Sequence, residues 1–295
     1  MADQYSIASD HLRATVKTRG AELCRLQAGS GLELLWQGDP AVWGRTAPVL
    51  FPVVGALQGG RLVHRGQSYP MPRHGFARDK DFRLVALSGH ACTLSLGDDA
   101  GTRAMYPFPF RLDVGLRIEG AELTVQYDLH NPGEADLPAS FGAHPGFRWP
   151  LLPGMPREGH WVEFERPESG PLPMLSPDGL LGPPARPNPL QGRMLHLDDA
   201  LFAHDALVFP SVQSRAVRYA APGSIGLEVA WDGFTQLGLW SKPGAGFICI
   251  EPWRGFASPE GFDGEFTGKP GVFLVRPGGA VSARFGVKLL APEMV

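Results

Sequence analysis

The sequence predicts an all-β protein, one large antiparallel β-sandwich spanning residues 1–295 with few, short helices. Three observations carry this. Apolar and polar residues alternate in short runs along the chain, which is the period of a half-buried strand. No long apolar stripe recurs at the helical period. Glycine (38) and proline (29) are abundant and scattered, as turns between many short strands require. The length does not force a division, because all-β folds of this size form single domains.

The elements follow in order. An opening strand includes Val16, and an apolar run over Leu50-Phe51-Pro52-Val53-Val54-Gly55 precedes the glycine pair Gly59-Gly60. Leu112, Val114, Leu116 and Ile118 alternate with polar positions, Gly120 and Ala121 intervene, and Leu123, Val125, Tyr127 and Leu129 resume the alternation. That pair reads as an antiparallel hairpin. Prolines and glycines crowd residues 150–189, too irregular for continuous strand. This stretch reads either as a surface excursion or as a loop that walls a pocket. In Phe247-Ile248-Cys249-Ile250-Glu251-Pro252-Trp253, alternation puts Phe247, Cys249 and Glu251 on one face and Ile248 and Ile250 on the other. Pro252 is expected to end that strand, since it has no N–H for a ladder. Phe273 to Val275, the turn Arg276-Pro277-Gly278-Gly279 and the run Ala283, Phe285, Val287, Leu289 predict a second hairpin.

Composition narrows the function. A formal net charge of −3, from 27 basic and 30 acidic residues, offers no electrostatic surface for nucleic acid or anionic lipid. Cys24, Cys92 and Cys249 are odd in number and widely spaced, with no zinc or redox motif, which fits a reducing compartment. Cys24 and Cys249 read as small core residues. No apolar stretch is long enough for a membrane helix. The N-terminal MADQYSIASDHLRATV is no secretory signal, so a cytoplasmic location is expected.

Three side chains stand out chemically. Glu251 closes an apolar run beside a tryptophan, surroundings that raise a carboxylate's pKa toward the range of a general base. His74, in Pro72-Arg73-His74-Gly75-Phe76-Ala77-Arg78, precedes a glycine that permits close backbone approach. His144, in Phe141-Gly142-Ala143-His144-Pro145-Gly146-Phe147, is restrained to extended geometry by Pro145. Histidine has the intrinsic pKa for proton transfer near neutrality. His11, His64, His90, His130, His160, His196 and His204 lie among polar or turn residues and read as surface positions.

Taken in order, HGFAR, AHPGF, HDALVF and CIEPW resemble the aldose 1-epimerase (mutarotase) family, its shorter bacterial LacX-like branch in particular, over nearly the whole chain from Val16 to Leu289. The resemblance implies a large antiparallel β-supersandwich of the galactose mutarotase type, and an enzyme that needs neither metal nor organic cofactor. It implies a small-molecule sugar as partner, with the chain a monomer or weak homodimer. By resemblance, Glu251 matches the catalytic base, His144 the catalytic acid and His74 the second active-site histidine. Asp205 matches the aspartate that holds sugar hydroxyls, and Arg61 the substrate-binding arginine. Trp253 would supply an apolar face for the pyranose, with Trp36, Phe147 and Trp240 as further candidates. His74-Gly75-Phe76 departs from the His-Gly-Gly of the long galactose enzymes, and Phe76 and Arg78 make the entrance different, with Arg78 facing substrate.

Other readings stay open at this stage. The HGFAR form also occurs in relatives acting on hexose 6-phosphates, for which Arg45, Arg73, Arg78 and Arg254 are candidate phosphate ligands. The pocket could bind carbohydrate without catalysis. His74, His144 and Glu251 could form a two-histidine, one-carboxylate metal site. A glycosidase would need a second carboxylate flanking the scissile bond, which only Asp205 could supply.

Overall fold

The computed structural model describes residues 2–294. Its strands pair antiparallel, and two sheets dominate. The larger has nine strands in the order Met194–His196, Trp161–Phe164, Ala216–Ala220, Gly226–Asp232, Ala280–Leu290, Glu122–His130, Arg111–Glu119, Ala91–Gly97 and Arg83–Leu87. The smaller runs Leu207–Phe209, Gln236–Trp240, Phe247–Arg254, Phe141–Ala143 and Val49–Leu50, and Gly146–Arg148 also pairs with Phe247–Arg254. The α-helix among the described residues is the short Ala100–Arg103, closed at its N-terminus by an Asp99–Thr102 capping box.

One apolar core joins the two sheets. Leu112, Val114, Leu123, Val125, Phe285 and Val287 from the nine-stranded sheet share it with Phe141, Leu237, Leu239, Ile248 and Ile250 from the smaller one. Aromatic pairs bridge the layers: Tyr127 stacks on Phe141 at 6.1 Å, and Phe164 meets Phe209 at 5.2 Å. This is the face-to-face packing that alternation implies. The first predicted hairpin is present, with Leu112 opposite Leu129 and Ile118 opposite Leu123.

Three local expectations are corrected. Pro252 does not end its strand, which continues to Arg254. The Trp253 carbonyl accepts from Thr235 N, so the neighbouring Pro252 points its nitrogen to the opposite side. There the partner backbone is interrupted between Phe141–Ala143 and Gly146–Arg148, and the missing donor breaks no ladder. The second hairpin is not formed either. Phe273–Val275 pairs with Leu137–Ala139, whereas Ala280–Leu290 lies between Glu122–His130 and Gly226–Asp232. Each run is better served by a longer-range partner. Finally, His160 is buried, not exposed: its Nε2 accepts from Leu151 N, and its Nδ1 lies 3.0 Å from the Arg157 carbonyl. Cys249 is buried in apolar surroundings, while Cys24 is only half-buried.

The smaller sheet is covered on both faces. Residues that alternate with the core positions point outward: Phe247, Cys249, Glu251 and Trp253 on one strand, Val208 on another, Leu50 on a third. Trp240 projects outward beside them from Gln236–Trp240, and over this outer face close Trp36, Trp43, Leu175 and Leu181. The space left between them is the site.

Candidate active site

A cavity of about 480 Å³ opens on the outer face of the smaller sheet, within the ~300–1,000 Å³ typical of small-molecule sites. His74, Arg78, His144, Asp205, Glu251 and Trp253 line it, as do Arg73, Trp43, Trp240 and Lys242.

Register decides how the two central groups meet. Gly146 faces Cys249 and Gly142 faces Trp253, so His144, midway between the glycines, falls opposite Glu251. His144 Nε2 lies 3.3 Å from Glu251 Oε2. Trp43 stacks on the His144 ring at 5.1 Å and 27°, and Trp240 meets it edge-on at 5.7 Å. The aromatic collar clamps the imidazole and keeps water away from it. Glu251 is 1% exposed, and its Oε2 has no hydrogen-bond partner.

His74 arrives from a strained turn. Its N–H donates to the Gly55 carbonyl at 2.8 Å, and Gly55 N donates back to His74 Nδ1 at 3.2 Å. Acceptance at Nδ1 leaves the ring proton on Nε2. The ring sits edge-on to His144 at 5.7 Å. His74 has φ +67° and Asp205 has φ +68°, a region that non-glycine residues rarely occupy. Both strained residues line the cavity, where such conformations tend to cluster. Gly75 follows at φ +72°, and a Cβ there would lie 2.1 Å from the Phe51 carbonyl oxygen. Only glycine fits at that position.

Trp253 lies flat on the sheet. A Cβ on Gly142 would come within 2.5 Å of its pyrrole edge, and one on Gly238 within 2.4 Å of its six-membered ring. These two glycines, on the flanking strands, are the bed on which the indole rests. Asp205 pairs with Arg73 at 3.3 Å, and Arg78 donates to the Arg73 carbonyl at 2.7 Å. The proline-rich segment walls the cavity through Leu175 and Leu181, anchored where Leu181 N donates to the Ser258 carbonyl.

The electrostatics follow from burial. Loss of water pushes Glu251 well above the usual carboxylate range, and the Asp205 charge adds to the rise. Arg73 opposes it, as does the nearby Trp253 indole, although that N–H does not reach hydrogen-bonding geometry. Burial drives His144 down to about 3, helped by Arg78, Arg73 and Arg45 and resisted by the residue's own backbone, although its Nδ1 reaches no hydrogen-bond partner. His74 is held well below its ordinary value by burial, then by His144 and the same arginines. Burial thus favours the protonated form of the Glu251 carboxyl and the neutral form of both imidazoles. A resting state with Glu251 ionised and His144 charged, as the base and acid roles suggest, is the less favoured arrangement.

A sequence model described as aldose 1-epimerase matches residues 3–168, more than half the chain. The plasmid and chromosomal forms of protein LacX from Lactococcus lactis subsp. lactis are each 34% identical over 281 residues, covering 92% of this chain and 94% of theirs. The chain belongs to the aldose 1-epimerase family. Among solved structures, a galactose mutarotase-like protein from Lactobacillus casei superposes with a TM-score of 0.90 at 26% identity, covering 97% of this chain and 100% of that one. A galactose mutarotase related enzyme from Lactobacillus acidophilus gives 0.89 at 27% identity, covering 98% of each chain. The fold is the galactose mutarotase-like one.

Against the family resemblance of its motifs, one residue is misplaced. Arg61 does not line the cavity. It is exposed on Arg61–His64, a strand paired with Gln67–Pro70, and borders a separate crevice with Phe262 and Lys269. Gly59 and Gly60, at φ +61° and +64°, turn the chain away from the site just before it. Arginine reaches the cavity instead from Arg73 and Arg78. Of the other cationic candidates, Arg45 pairs with Asp79 at 2.7 Å and Arg254 covers the Phe273 ring at 4.4 Å. Trp43 and Lys242 were not legible as site residues, since nothing local to either distinguishes it from a packing or surface position.

Proposed function

We propose that this family member is an aldose 1-epimerase that interconverts the α and β anomers of a hexose by opening and reclosing the ring, with residues 1–295 acting as one domain. The observation that carries the reading is the Glu251–His144 pair, 3.3 Å apart at the cavity floor. The C1 hydroxyl oxygen and the ring oxygen are bonded to the same carbon. An acid and a base that serve both must therefore stand side by side. Glycosidase carboxylates stand farther apart, about 5–9.5 Å, and flank the bond from two sides.

In the reaction, Glu251 takes the proton of the C1 hydroxyl while His144 protonates the ring oxygen. The C1–O bond to the ring breaks, and the free aldehyde turns about C1–C2. On closure the two groups exchange roles, so the pair ends with the single proton it began with. Burial disfavours the charged form of the pair. Hydrogen bonds from sugar hydroxyls to the carboxylate, with the positive charge of Arg73 nearby, move the proton onto His144. His74 orients the sugar through its Nε2–H, Asp205 accepts hydrogen bonds from sugar hydroxyls, and Trp253 offers an apolar face to the pyranose.

Polarimetry or exchange NMR on α-glucose and α-galactose tests this. Glu251→Gln is expected to lower the acceleration by about 10²–10⁴-fold, the usual worth of a positioned proton-transfer group. Unchanged acceleration rejects Glu251. Calorimetric sugar binding without any acceleration by the native protein would favour a carbohydrate-binding protein.

One observation favours a phosphorylated hexose as the natural form. Arg73, Arg78 and Lys242 all line the cavity, and Arg78 Nε, 3.7 Å from Asp79 Oδ2, makes no hydrogen bond. A 6-phosphate would find cationic donors there. The same NMR panel with 6-phosphorylated aldoses should then show a higher kcat/KM than with the free sugars.

A further inference from the structure

We propose that the chain holds an inhibitory binding site for a thiophilic divalent cation such as Zn²⁺, formed by His144, Cys249 and Glu251. The donor atoms of these three buried residues lie within 4.8 Å of one another. Cys249 and Glu251 project from the same face of one strand, and register brings His144 opposite them. The 3.3 Å between His144 Nε2 and Glu251 Oε2 matches the edge of a tetrahedron, about 3.3 Å, for zinc bonds of roughly 2.0–2.1 Å to nitrogen and oxygen. Cys249 Sγ lies within 4.8 Å of both other donors, so a side-chain adjustment brings it to the ~2.3 Å of a zinc–sulfur bond. Glu251 Oε2 is buried without a hydrogen bond and is free to bind. A fourth position opens toward the cavity that Glu251 and His144 line.

Charge balance explains why a buried site accepts the ion. Binding releases the Cys249 thiol proton and the proton held by the Glu251–His144 pair to solvent. The resulting thiolate and carboxylate neutralise the dication, so no net charge is buried. Nitrogen, sulfur and oxygen donors together suit zinc and its softer relatives rather than magnesium or calcium. The ion occupies both groups assigned to proton transfer, so it would inhibit competitively with sugar. That consequence rests on the proposed epimerase reading; the metal site itself rests on donor geometry alone.

The test is a Zn²⁺ titration of the whole chain by calorimetry, run beside Cd²⁺ titration followed by thiolate-to-metal absorption in the ultraviolet. One ion per chain, with a thiolate band, is expected. Cys249→Ala should abolish the band and weaken Zn²⁺ binding at least tenfold while leaving uninhibited epimerase activity unchanged. If that variant does not fold, Glu251→Gln should weaken Zn²⁺ binding comparably. Absence of a thiolate band, or Zn²⁺ affinity unaffected in the folded variant, overturns the site. Metal binding with the expected ligand dependence, in a protein that accelerates no sugar, would sustain the site and reject only the epimerase reading.

Discussion

Gly238→Ala tests the role of Trp253 without touching a polar group. A Cβ at Gly238 would lie 2.4 Å from the Trp253 six-membered ring, where ordinary contact is 3.4–4 Å. The strand cannot retreat, because Gly238 faces Glu251 across the ladder. The indole must therefore lift by about 1 Å or more into the cavity, at an overpacking cost of ~1–3 kcal/mol. Misplacement of a substrate-positioning group by that distance costs on the order of 10²-fold in rate. Denaturant midpoints and polarimetric kcat/KM measure the two effects. Trp253→Phe removes the outer ring atoms that clash, so the double variant should be less destabilised than the sum of the singles by roughly 0.5–3 kcal/mol. Additive stabilities together with unchanged kcat/KM would refute the placement of Trp253 as the sugar's floor.

Gly75→Ala, with its Cβ 2.1 Å from the Phe51 carbonyl oxygen at φ +72°, should destabilise by about 3 kcal/mol or more, seen as a large drop in Tm. His74→Ala leaves the buried Gly55 N–H without its acceptor and should cost ~1–3 kcal/mol in chemical unfolding as well as activity. The pH dependence of stability has two limbs. His144 is depressed to about 3 in the folded chain against ~6.5 unfolded, so its contribution is complete above ~6.5 and is lost as pH falls toward 3. His144→Asn should flatten that acid limb, worth on the order of a few kcal/mol. Glu251 is raised, so its contribution is present below the ordinary carboxylate pKa and is lost as pH rises through its folded value. Glu251→Gln should flatten that second limb, and denaturant titrations across the range would read both.

Much of this protein was visible one strand at a time. Alternation alone separated Glu251 and Cys249 from Ile248 and Ile250, and the structure puts the first pair on the outer face of the smaller sheet, Glu251 lining the cavity, and the second in the core. The hairpin over residues 111–130 was equally legible, because its two runs are adjacent and joined by a turn. Local pattern misled where partners are distant in sequence. Phe273–Val275 and Ala280–Leu290 joined different sheets, and Pro252 was absorbed by a strand whose neighbour happens to be broken beside it.

The sequence by itself determined that strands would form, which face of each would be apolar, and that a carboxylate and two histidines would sit where backbone is held tightly. Those are properties of side-chain period and backbone dihedrals, which act over a few residues. Tertiary structure alone decided that His144 stands opposite Glu251, that Arg73 enters the cavity while Arg61 faces solvent, and that Trp43 closes over the imidazole. Those depend on register between strands about a hundred residues apart, and on burial, which shifts the titration of Glu251, His144 and His74.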